Sequence, residues 1–301
     1  MRRTGHDPAV VRPLRRRHAR RTLVCLGFAG GGTGAYRAWG DVLDDETDLA
    51  LICYPGREGR FTEPPAGTWQ ELVADTAAAV RRAADTPLVL FGHSMGGWVA
   101  FDVTVQLQRQ GGTVPEALVV SSCNSPIRGL TERDRFPRVG DDDERLVHWM
   151  RTSGSLPDFI LGDADLCAMA IQLMRADLRV RDTYRPDRHA AARVPLQVCH
   201  GTDDDVIERS VTEQWRAAAA GPFEVTRLPG GHFYQPQIWQ TLPRHFASLA
   251  APRPGLAEEE EVNNHARDEE HAAGSPGGAR SSGVGRGVRD RRHGPGRDLA
   301  S

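Results

Sequence analysis

The chain has 301 residues, 39% of them hydrophobic, which is enough to bury one large core. Its formal net charge at pH 7 is −2, although arginines crowd the first 21 residues and Glu258–Glu261 form an acidic run near the other end. The arginine-rich segment has no interleaved aromatic residues and no recognisable motif, which argues against nucleic-acid binding. No stretch approaches the roughly 20 apolar residues that cross a bilayer, which argues against a membrane protein.

Cysteine usage indicates the compartment. The five cysteines form no CxxC pair, and most lie inside apolar segments. This pattern favours buried, reduced thiols and predicts a cytoplasmic protein. Paired arginines before a short apolar run at residues 20–26 also resemble an export signal, but the run continues into "AYRAWGDVL" without a cleavage site.

Apolar segments alternate with helical patterns from residue 22 to residue 251. The predicted strands cover residues 22–28, 49–54, 87–92, 117–122, 195–200 and 223–228. The predicted helices cover residues 68–84, 96–110, 208–220 and 237–250, the last interrupted at Pro243. Near-continuous apolar strands separated by helices predict an α/β fold with a mostly parallel, doubly wound sheet covered on both faces.

One interval, at about residues 126–194, contains no convincing strand. Two helical patterns with Gly and Pro between them occupy it instead. A helical insertion of this length is typical of a lid over a site, and packing against the flank of the sheet is the alternative. The apolar residues expected on its inner faces are Leu146, Trp149, Met150, Phe159, Leu166, Met169 and Leu173.

The two ends of the chain differ in composition from this region. Residues 1–21 are rich in Arg, and residues 252–301 are rich in Gly, Pro, Arg, Glu and Ser without any aromatic residue. Segments of this kind bury too little apolar surface to offset the entropy of ordering. Both are predicted to be disordered tails.

The sequence Gly92-His93-Ser94-Met95-Gly96 joins the third predicted strand to a helix. A serine between two glycines at such a turn is typical of a strained nucleophile elbow, which exposes the serine hydroxyl above the sheet. The helix that follows directs its N-terminal dipole at the site. We therefore predict Ser94 as a nucleophile.

A serine needs a base, and in folds built around this turn an acid and then a histidine follow it along the chain. His232 in "LPGGHFY" lies just after the last predicted strand, where two glycines allow the loop to bend back. His200 is the alternative, but its position at the end of a strand favours a structural role. Asp204 in "GTDDDVI" is the predicted acid, with Asp203 and Asp205 as alternatives.

An oxyanion intermediate needs backbone donors. The N–H of Met95 begins the helix behind the serine, and the glycine-rich "GFAGGGTGAY" after the first predicted strand supplies a second donor, Ala29 or Phe28. The same glycines do not form a phosphate-binding motif, because neither GxGxxG followed by a helix nor GK[ST] is present. No cofactor or metal is predicted.

Six segments in order carry a family resemblance: "LVCLGFAGGGTGAYRAW", "YPGREGRFTEPP", "LFGHSMGGWVAF", "RADLRVRDTYRP", "GTDDDVI" and "PGGHFY". They resemble the type II thioesterases of polyketide synthase and nonribosomal peptide synthetase systems, which belong to the α/β-hydrolase superfamily. The resemblance spans roughly residues 22–250. It implies an α/β-hydrolase fold with a helical lid, a Ser94-Asp204-His232 triad, and Met95 and Ala29 at the oxyanion hole.

The resemblance also implies a substrate and a partner. Enzymes of this family cleave acyl thioesters from the phosphopantetheine arms of acyl or peptidyl carrier proteins and so remove stalled or misprimed units. Carrier proteins are typically acidic, so Arg57 and Arg60 are expected near the mouth of the site. A general carboxylesterase or lipase is the alternative enzyme, and a non-catalytic binding module would require a missing triad residue.

Overall fold

The computed structural model describes residues 7–250, which form a seven-stranded sheet flanked by helices. The strands are β1 (Val10–Leu14), β2 (Arg21–Leu26), β3 (Thr47–Ile52), β4 (Leu88–His93), β5 (Ala117–Ser121), β6 (Leu196–Gly201) and β7 (Phe223–Leu228). The helices are α1 (Trp69–Ala83), α2 (Met95–Gln110), α3 (Asp143–Ser153), α4 (Asp158–Leu161), α5 (Ala164–Asp182), α6 (Val211–Ala217), α7 (Pro236–Thr241) and α8 (Ala247–Ala250). The predictions for residues 1–6 and 252–301 lie outside the described residues.

The order of strands across the sheet is β1-β3-β2-β4-β5-β6-β7. Only the edge strand β1 is antiparallel to its neighbour, and the other five pairings are parallel. The chain places β3 on one side of β2 and then β4 on the other side. This reversal in the order in which strands are added creates a topological switch point beside the carboxyl end of β4. This is the mostly parallel, doubly wound α/β-hydrolase arrangement that the sequence predicts.

Side chains alternate between the two faces of the sheet because successive residues of a strand point in opposite directions. On β4, Leu90 packs with the helices α1, α2 and α6, whereas Phe91 packs on the opposite face with Tyr36 and Trp39. Both faces are therefore covered, and every residue of β2, β3, β4, β5 and β6 is buried. Burial on both faces explains why these strands are near-continuous apolar runs in the sequence.

The predicted helices are present with small shifts at their ends. The helix predicted at 208–220 is confined to Val211–Ala217, and the one predicted at 237–250 is divided into α7, a 3-10 turn at Leu242–His245 and α8. The division falls at Pro243, as expected for a residue that cannot donate a backbone hydrogen bond.

The strand β1 corrects the prediction that residues 1–21 form a disordered tail. Val10 pairs with Ile52 of β3, and Arg12 donates to the carbonyl of Ala83 and to Asp85. Arg16 in turn contacts Asp45 and the carbonyls of Leu43 and Thr47. The prediction was wrong because it counted the arginines as solvated charge, whereas here they bond acidic residues and carbonyls that are distant in the sequence.

The interval 126–194 contains α3, α4 and α5 and no strand, as predicted. Its buried apolar residues form a separate cluster that includes Leu146, Met150, Ile171, Met174 and Leu178. The insertion thus has a small core of its own. None of the helices within residues 7–250 is long and apolar enough to cross a bilayer.

Candidate active site

Ser94 occupies the turn between β4 and α2, with a backbone conformation of φ 54° and ψ −125°. This left-handed φ is unfavourable for a residue with a side chain, so neighbouring atoms must hold it in place. A Cβ at Gly92 would collide with the backbone carbonyl of Gly96, and a Cβ at Gly96 would lie 2.6 Å from the carbonyl oxygen of Gly27. The two glycines are therefore required for the turn to close tightly enough to present Ser94.

His232 and Asp204 meet Ser94 at this edge of the sheet. The Nε2 atom of His232 lies 3.0 Å from Ser94 Oγ, and its Nδ1 atom lies 3.2 Å and 3.3 Å from the two carboxylate oxygens of Asp204. A carboxylate can only accept, so Nδ1 carries the proton and Nε2 of the neutral ring accepts from the serine hydroxyl. The structure brings the three predicted residues into one hydrogen-bonded series.

The alternatives considered for the base and the acid lie elsewhere. His200 is buried, and its Nδ1 bonds the carbonyl of Gly201. Asp203 and Asp205 are exposed and line an open groove, whereas the side chain of Asp204 is fully buried beside His232.

Opposing effects act on the Asp204 carboxyl group. Burial raises its pKa, but the hydrogen bond and charge of His232 and the N–H of Val206, 3.0 Å from Oδ1, lower it by more in total. The net pKa is below its ordinary value, because the charged form accepts several hydrogen bonds. Asp204 is therefore an anion at neutral pH and able to stabilise a cationic His232.

The residues of the two predicted oxyanion donors line the cavity that contains Ser94. Met95 is the first residue of α2, so its N–H has no acceptor within the helix. Ala29 lines the same cavity as Ser94 and Met95. Phe28, the alternative donor, is buried with its ring 4.7 Å from that of Phe233. Ala29 lines the cavity of Ser94 and Phe28 does not, which favours Ala29 as the second oxyanion donor.

The cavity above Ser94 is narrow, about 40 Å³ in volume, and it adjoins an open groove of about 1270 Å³. Arg133, Phe136, Trp149 and Val206 line both. The groove runs along α3 of the insertion and passes His232. The insertion therefore covers the site, as a lid does, and leaves one side open.

The lid residues differ from the expectation in detail. Trp149 lines the cavity, and its ring lies 6.3 Å from that of His232. Leu146 and Met150 instead pack in the core of the lid. Phe159, Leu166 and Met169 are exposed, and Leu173 is half-buried. Met174 and Leu178, which lie one turn apart on α5, line the cavity in place of the residues that were predicted.

Arg57 and Arg60 are not at the mouth, which corrects the prediction for these two residues. Their side chains are only 5% and 8% exposed, and they bond Asp177 and Asp75 respectively. Carboxylates balance the charge of both guanidinium groups inside the protein, and backbone carbonyls accept further hydrogen bonds from them. The charged residues that line the groove are Glu132, Arg133, Arg138, Asp141, Asp142, Glu144, Arg145, Asp203 and Asp205.

A buried hydrogen-bond series that was not predicted from the sequence lies beneath the site. His93 Nδ1 lies 3.0 Å from Ser121 Oγ, which lies 2.7 Å from the hydroxyl of Tyr234. The series connects the strands β4 and β5 to the loop that carries His232. Burial, and then the nearby His232, hold the pKa of His93 well below its ordinary value, so His93 stays neutral. Tyr234 follows His232 in a segment singled out above, but its partner Ser121 had no signal in the sequence.

Comparison with known proteins places the chain in a family. A family model described as a thioesterase domain matches residues 21–248. A probable cadicidin biosynthesis thioesterase from Streptomyces griseus is 31% identical over 258 residues, which cover 83% of this chain and 69% of that protein.

Solved structures agree with the sequence comparison. The type II thioesterase BorB of the borrelidin biosynthetic cluster superposes with a TM-score of 0.68 at 29% identity, covering 82% of this chain and 97% of that one. YbtT, a type II thioesterase of the yersiniabactin pathway, gives 0.67 at 26% identity and covers 81% and 100%. The chain belongs to the thioesterase family, is a hydrolase of thioesters, and has type II thioesterases of polyketide and nonribosomal peptide pathways among its relatives.

Proposed function

We propose that Ser94, His232 and Asp204 form the catalytic triad of this thioester hydrolase. The supporting observation is the hydrogen-bonded series from Ser94 Oγ through His232 to Asp204 at the base of the covered cavity. His232 Nε2 takes the proton from Ser94 Oγ as that oxygen attacks the thioester carbonyl. Asp204 holds the ring in this tautomer and stabilises the imidazolium that forms.

The tetrahedral intermediate carries its negative charge on the former carbonyl oxygen. In this proposal the N–H groups of Met95 and Ala29 donate to that oxygen. The imidazolium of His232 then protonates the departing sulfur, so the C–S bond breaks and an acyl ester on Ser94 remains. A water molecule, deprotonated by His232, hydrolyses this ester in the second half of the reaction and releases the carboxylic acid. No cofactor takes part in these steps.

The proposed substrate is an acyl group on the phosphopantetheine arm of an acyl or peptidyl carrier protein. Two observations support it. The relatives named above come from biosynthetic pathways of this kind. The groove is open along one side of α3 and leads to His232, which gives an extended arm access to Ser94 while the folded carrier stays outside. The proposed role is the removal of stalled or misprimed acyl units.

The test compares one acyl group on three leaving groups: a holo carrier protein, N-acetylcysteamine and an alcohol. We expect kcat/KM to be highest for the carrier thioester, because the arm and the carrier surface add binding that a short thiol lacks. Ser94→Ala should remove activity on all three by about 10⁴-fold or more.

Each other outcome has a distinct meaning. Equal kcat/KM for carrier and N-acetylcysteamine thioesters would reject the carrier as substrate and leave a general thioesterase. A preference for the oxygen ester would favour a carboxylesterase or lipase instead. A Ser94→Ala variant that keeps more than about a tenth of the activity would reject the triad.

A further inference from the structure

A buried ion pair joins the lid to the segment Pro55–Glu63. Arg57 Nη2 lies 2.5 Å from Asp177 Oδ1, and Arg57 Nη1 lies 3.0 Å from Asp177 Oδ2, a two-point contact. Both side chains are 5% exposed. Asp177 belongs to the lid helix α5, whereas Arg57 follows β3, so the pair connects two regions 120 residues apart in the chain.

The same two side chains also bond the glycine-rich loop that carries Ala29. Asp177 Oδ2 accepts from the N–H of Gly30 at 2.8 Å, and Arg57 Nη1 donates to the carbonyl of Gly31 at 2.7 Å. The Gly30 N–H belongs to the peptide bond that follows Ala29, and the Gly31 carbonyl belongs to the peptide bond after Gly31. The two partners of one ion pair thus both bond the loop: Asp177 accepts from an N–H of the loop, and Arg57 donates to a carbonyl of the loop.

The loop needs such external support. Gly30 has a φ of 73°, and consecutive glycines give the chain more conformational freedom than any other residue does. A Cβ at Gly30 would lie 3.2 Å from Met174 Cε, so α5 also limits the space beside the loop. Within the loop, the N–H of Gly31 donates to the carbonyl of Phe28 at 2.9 Å, and the side-chain hydrogen bonds to Gly30 and Gly31 come from α5 and from the segment after β3.

We infer that the Arg57–Asp177 pair is a positioning device that aims the Ala29 N–H at the oxyanion and makes this alignment depend on the seating of the lid helix α5. The inference rests on the proposed function, since it assumes that Ala29 donates to the intermediate formed at Ser94. Arg57 and Asp177 are positioning residues, because they act through the loop and do not contact the reacting atoms.

Stability alone is a weak explanation for this pair. Desolvating two charges consumes most of what their attraction supplies, and well-packed apolar residues often replace buried ion pairs without loss of stability. Burial alone would lower the pKa of Arg57, but the charge and hydrogen bonds of Asp177 raise that pKa above its ordinary value, so Arg57 stays charged inside the protein. A charged pair can bond one N–H and one carbonyl simultaneously, which an apolar pair cannot.

The test replaces both partners together, Arg57→Met with Asp177→Leu, which leaves no unpaired charge. Enzyme concentration is taken from complete labelling of Ser94 by a fluorophosphonate, so that unfolded protein does not count. We expect kcat on the acyl-N-acetylcysteamine thioester to fall by about 10²-fold while KM changes by less than about threefold, as for the loss of one oxyanion donor.

A second measurement separates positioning from general damage. An alkyl boronic acid forms a tetrahedral adduct with the serine and needs the oxyanion donors, whereas the carboxylic acid product binds without forming such an adduct. The Kd of the boronic acid should rise by about the same factor as kcat falls, and the Kd of the product should stay nearly constant. A role in stability alone would leave both ratios unchanged in the labelled fraction.

Single variants cover the case in which the double variant fails to fold. Asp177→Asn keeps the side-chain volume and one acceptor, and Arg57→Lys keeps the charge but not the two-point contact; each should lose about tenfold in kcat. The matched control is Asp75→Asn, because Asp75 forms an ion pair with Arg60 of the same segment. Arg60 keeps its other partner, Glu63, in this variant. Its kcat should stay within about threefold of wild type.

The outcomes distinguish this inference from the proposed function. If Ser94→Ala remains active, the proposed function fails whatever the pair does. If Ser94 is essential but the pair variants keep kcat and boronic acid affinity within about threefold of wild type, only the positioning role is overturned. Equal losses in Asp75→Asn and Asp177→Asn would also overturn it, since any ion pair of the segment would then have the same effect.

Discussion

Two turns at the carboxyl edge of the sheet supply the proposed chemistry, and they are held in different ways. The turn at Ser94 is closed mainly by its own backbone, because a Cβ at Gly92 would collide with the carbonyl of Gly96, and it is supported by the neighbouring strand through the Ser94 N–H, which donates to the carbonyl of Ser121 at 2.8 Å. The glycine-rich loop at Ala29 is fixed by the side chains of Arg57 and Asp177, which come from elsewhere in the chain. The first turn is a local structure, and the second is a tertiary one.

This difference separates what each turn contributes. The Ser94 turn keeps its geometry as long as the strand and the helix beside it are folded. The Ala29 loop keeps its geometry only while α5 and the segment after β3 are in place. A change in the lid can therefore alter stabilisation of the intermediate without displacing Ser94, and the following substitutions test the two turns separately.

The largest effect is expected on the Ser94 side, from Asp204→Asn. An amide cannot stabilise the imidazolium and does not enforce the tautomer in which His232 Nε2 accepts from Ser94, so kcat should fall by about 10⁴-fold. Thioester hydrolysis under saturating substrate measures it. The matched controls, Asp203→Asn and Asp205→Asn, alter exposed residues of the groove and should stay within about threefold. A more severe loss of kcat in either control than in Asp204→Asn would show that Asp204 is not the acid of the triad.

Gly96→Ala should disturb both turns together and give the next largest effect. Its Cβ would lie 2.6 Å and 2.7 Å from the carbonyl oxygens of Gly27 and Leu26, where the glycine-rich loop begins. Those backbone atoms must shift, so we expect a loss of about 10²- to 10³-fold in kcat, as for a misplaced oxyanion donor, and a lower melting temperature.

Gly34→Ala is the control for that substitution. A Cβ at Gly34 meets no atom within 4 Å, and the residue lies in the 3-10 turn Thr33–Asp41. Its kcat should be unchanged and its stability equal or slightly higher, because alanine has less freedom in the unfolded chain. Similar losses in both variants would show that the loop tolerates no added Cβ anywhere and would remove the specific role of Gly96.

The same difference explains how much of the site could be predicted from the sequence. Ser94 was identifiable because the residue types that its turn requires, a serine between two glycines, lie within five consecutive residues. His232 and Asp204 followed from their places after β7 and β6, since parallel strands end at one edge of the sheet. The Arg57–Asp177 contact had no such signal: the two residues lie in segments that could be recognised as motifs but not matched to each other.

The errors have the same physical origin. Strand β1 was missed because the arginines in and around it suggested solvation, whereas the side chains of Arg12 and Arg16 bond Asp85 and Asp45, which lie far away in the sequence. Arg57 and Arg60 were assigned to the mouth of the site because carrier proteins are typically acidic, whereas their partners Asp177 and Asp75 belong to helices of this chain. Alternation and burial in the central strands are local properties and were predicted well. Charge pairing depends on the completed fold, and it was predicted poorly.

A smaller effect on the Ala29 side is expected from Glu58→Gln. Glu58 accepts from the N–H and the hydroxyl of Thr33 at 2.8 Å and 2.6 Å, which fixes the far end of the glycine-rich loop. Glutamine keeps one acceptor oxygen and loses the other, so kcat should fall by about threefold to tenfold with little change in KM. Glu63→Gln, in the same segment but bonded to Arg60, is the control and should have no effect on kcat.

Asp102→Asn lies outside both turns and should change stability without changing kcat. Asp102 on α2 is half-buried, and its Oδ2 accepts from Trp69 Nε1 at 2.7 Å. Burial is the main reason that its pKa is raised from 3.8 to about 6, and Asp187 adds to the shift. The folded state thus binds this proton more tightly than the unfolded state does. The contribution of Asp102 to the free energy of unfolding is therefore lost as pH rises from 3.8 through about 6.

The sign of the pH effect follows from that shift. Asparagine stays neutral and keeps an acceptor for the indole, so the variant should be more stable than wild type by up to about 3 kcal/mol above about pH 7, and by nearly nothing below about pH 3. Urea unfolding at both pH values measures the difference, and kcat should stay within about threefold. An equal gain in unfolding free energy at both pH values would show that the charge of Asp102 is not its cause. A loss of kcat would instead show that the middle of α2, and not only its first residues, affects the geometry of the two turns. The distinction between a locally fixed turn at Ser94 and a loop at Ala29 fixed by tertiary contacts would then be wrong.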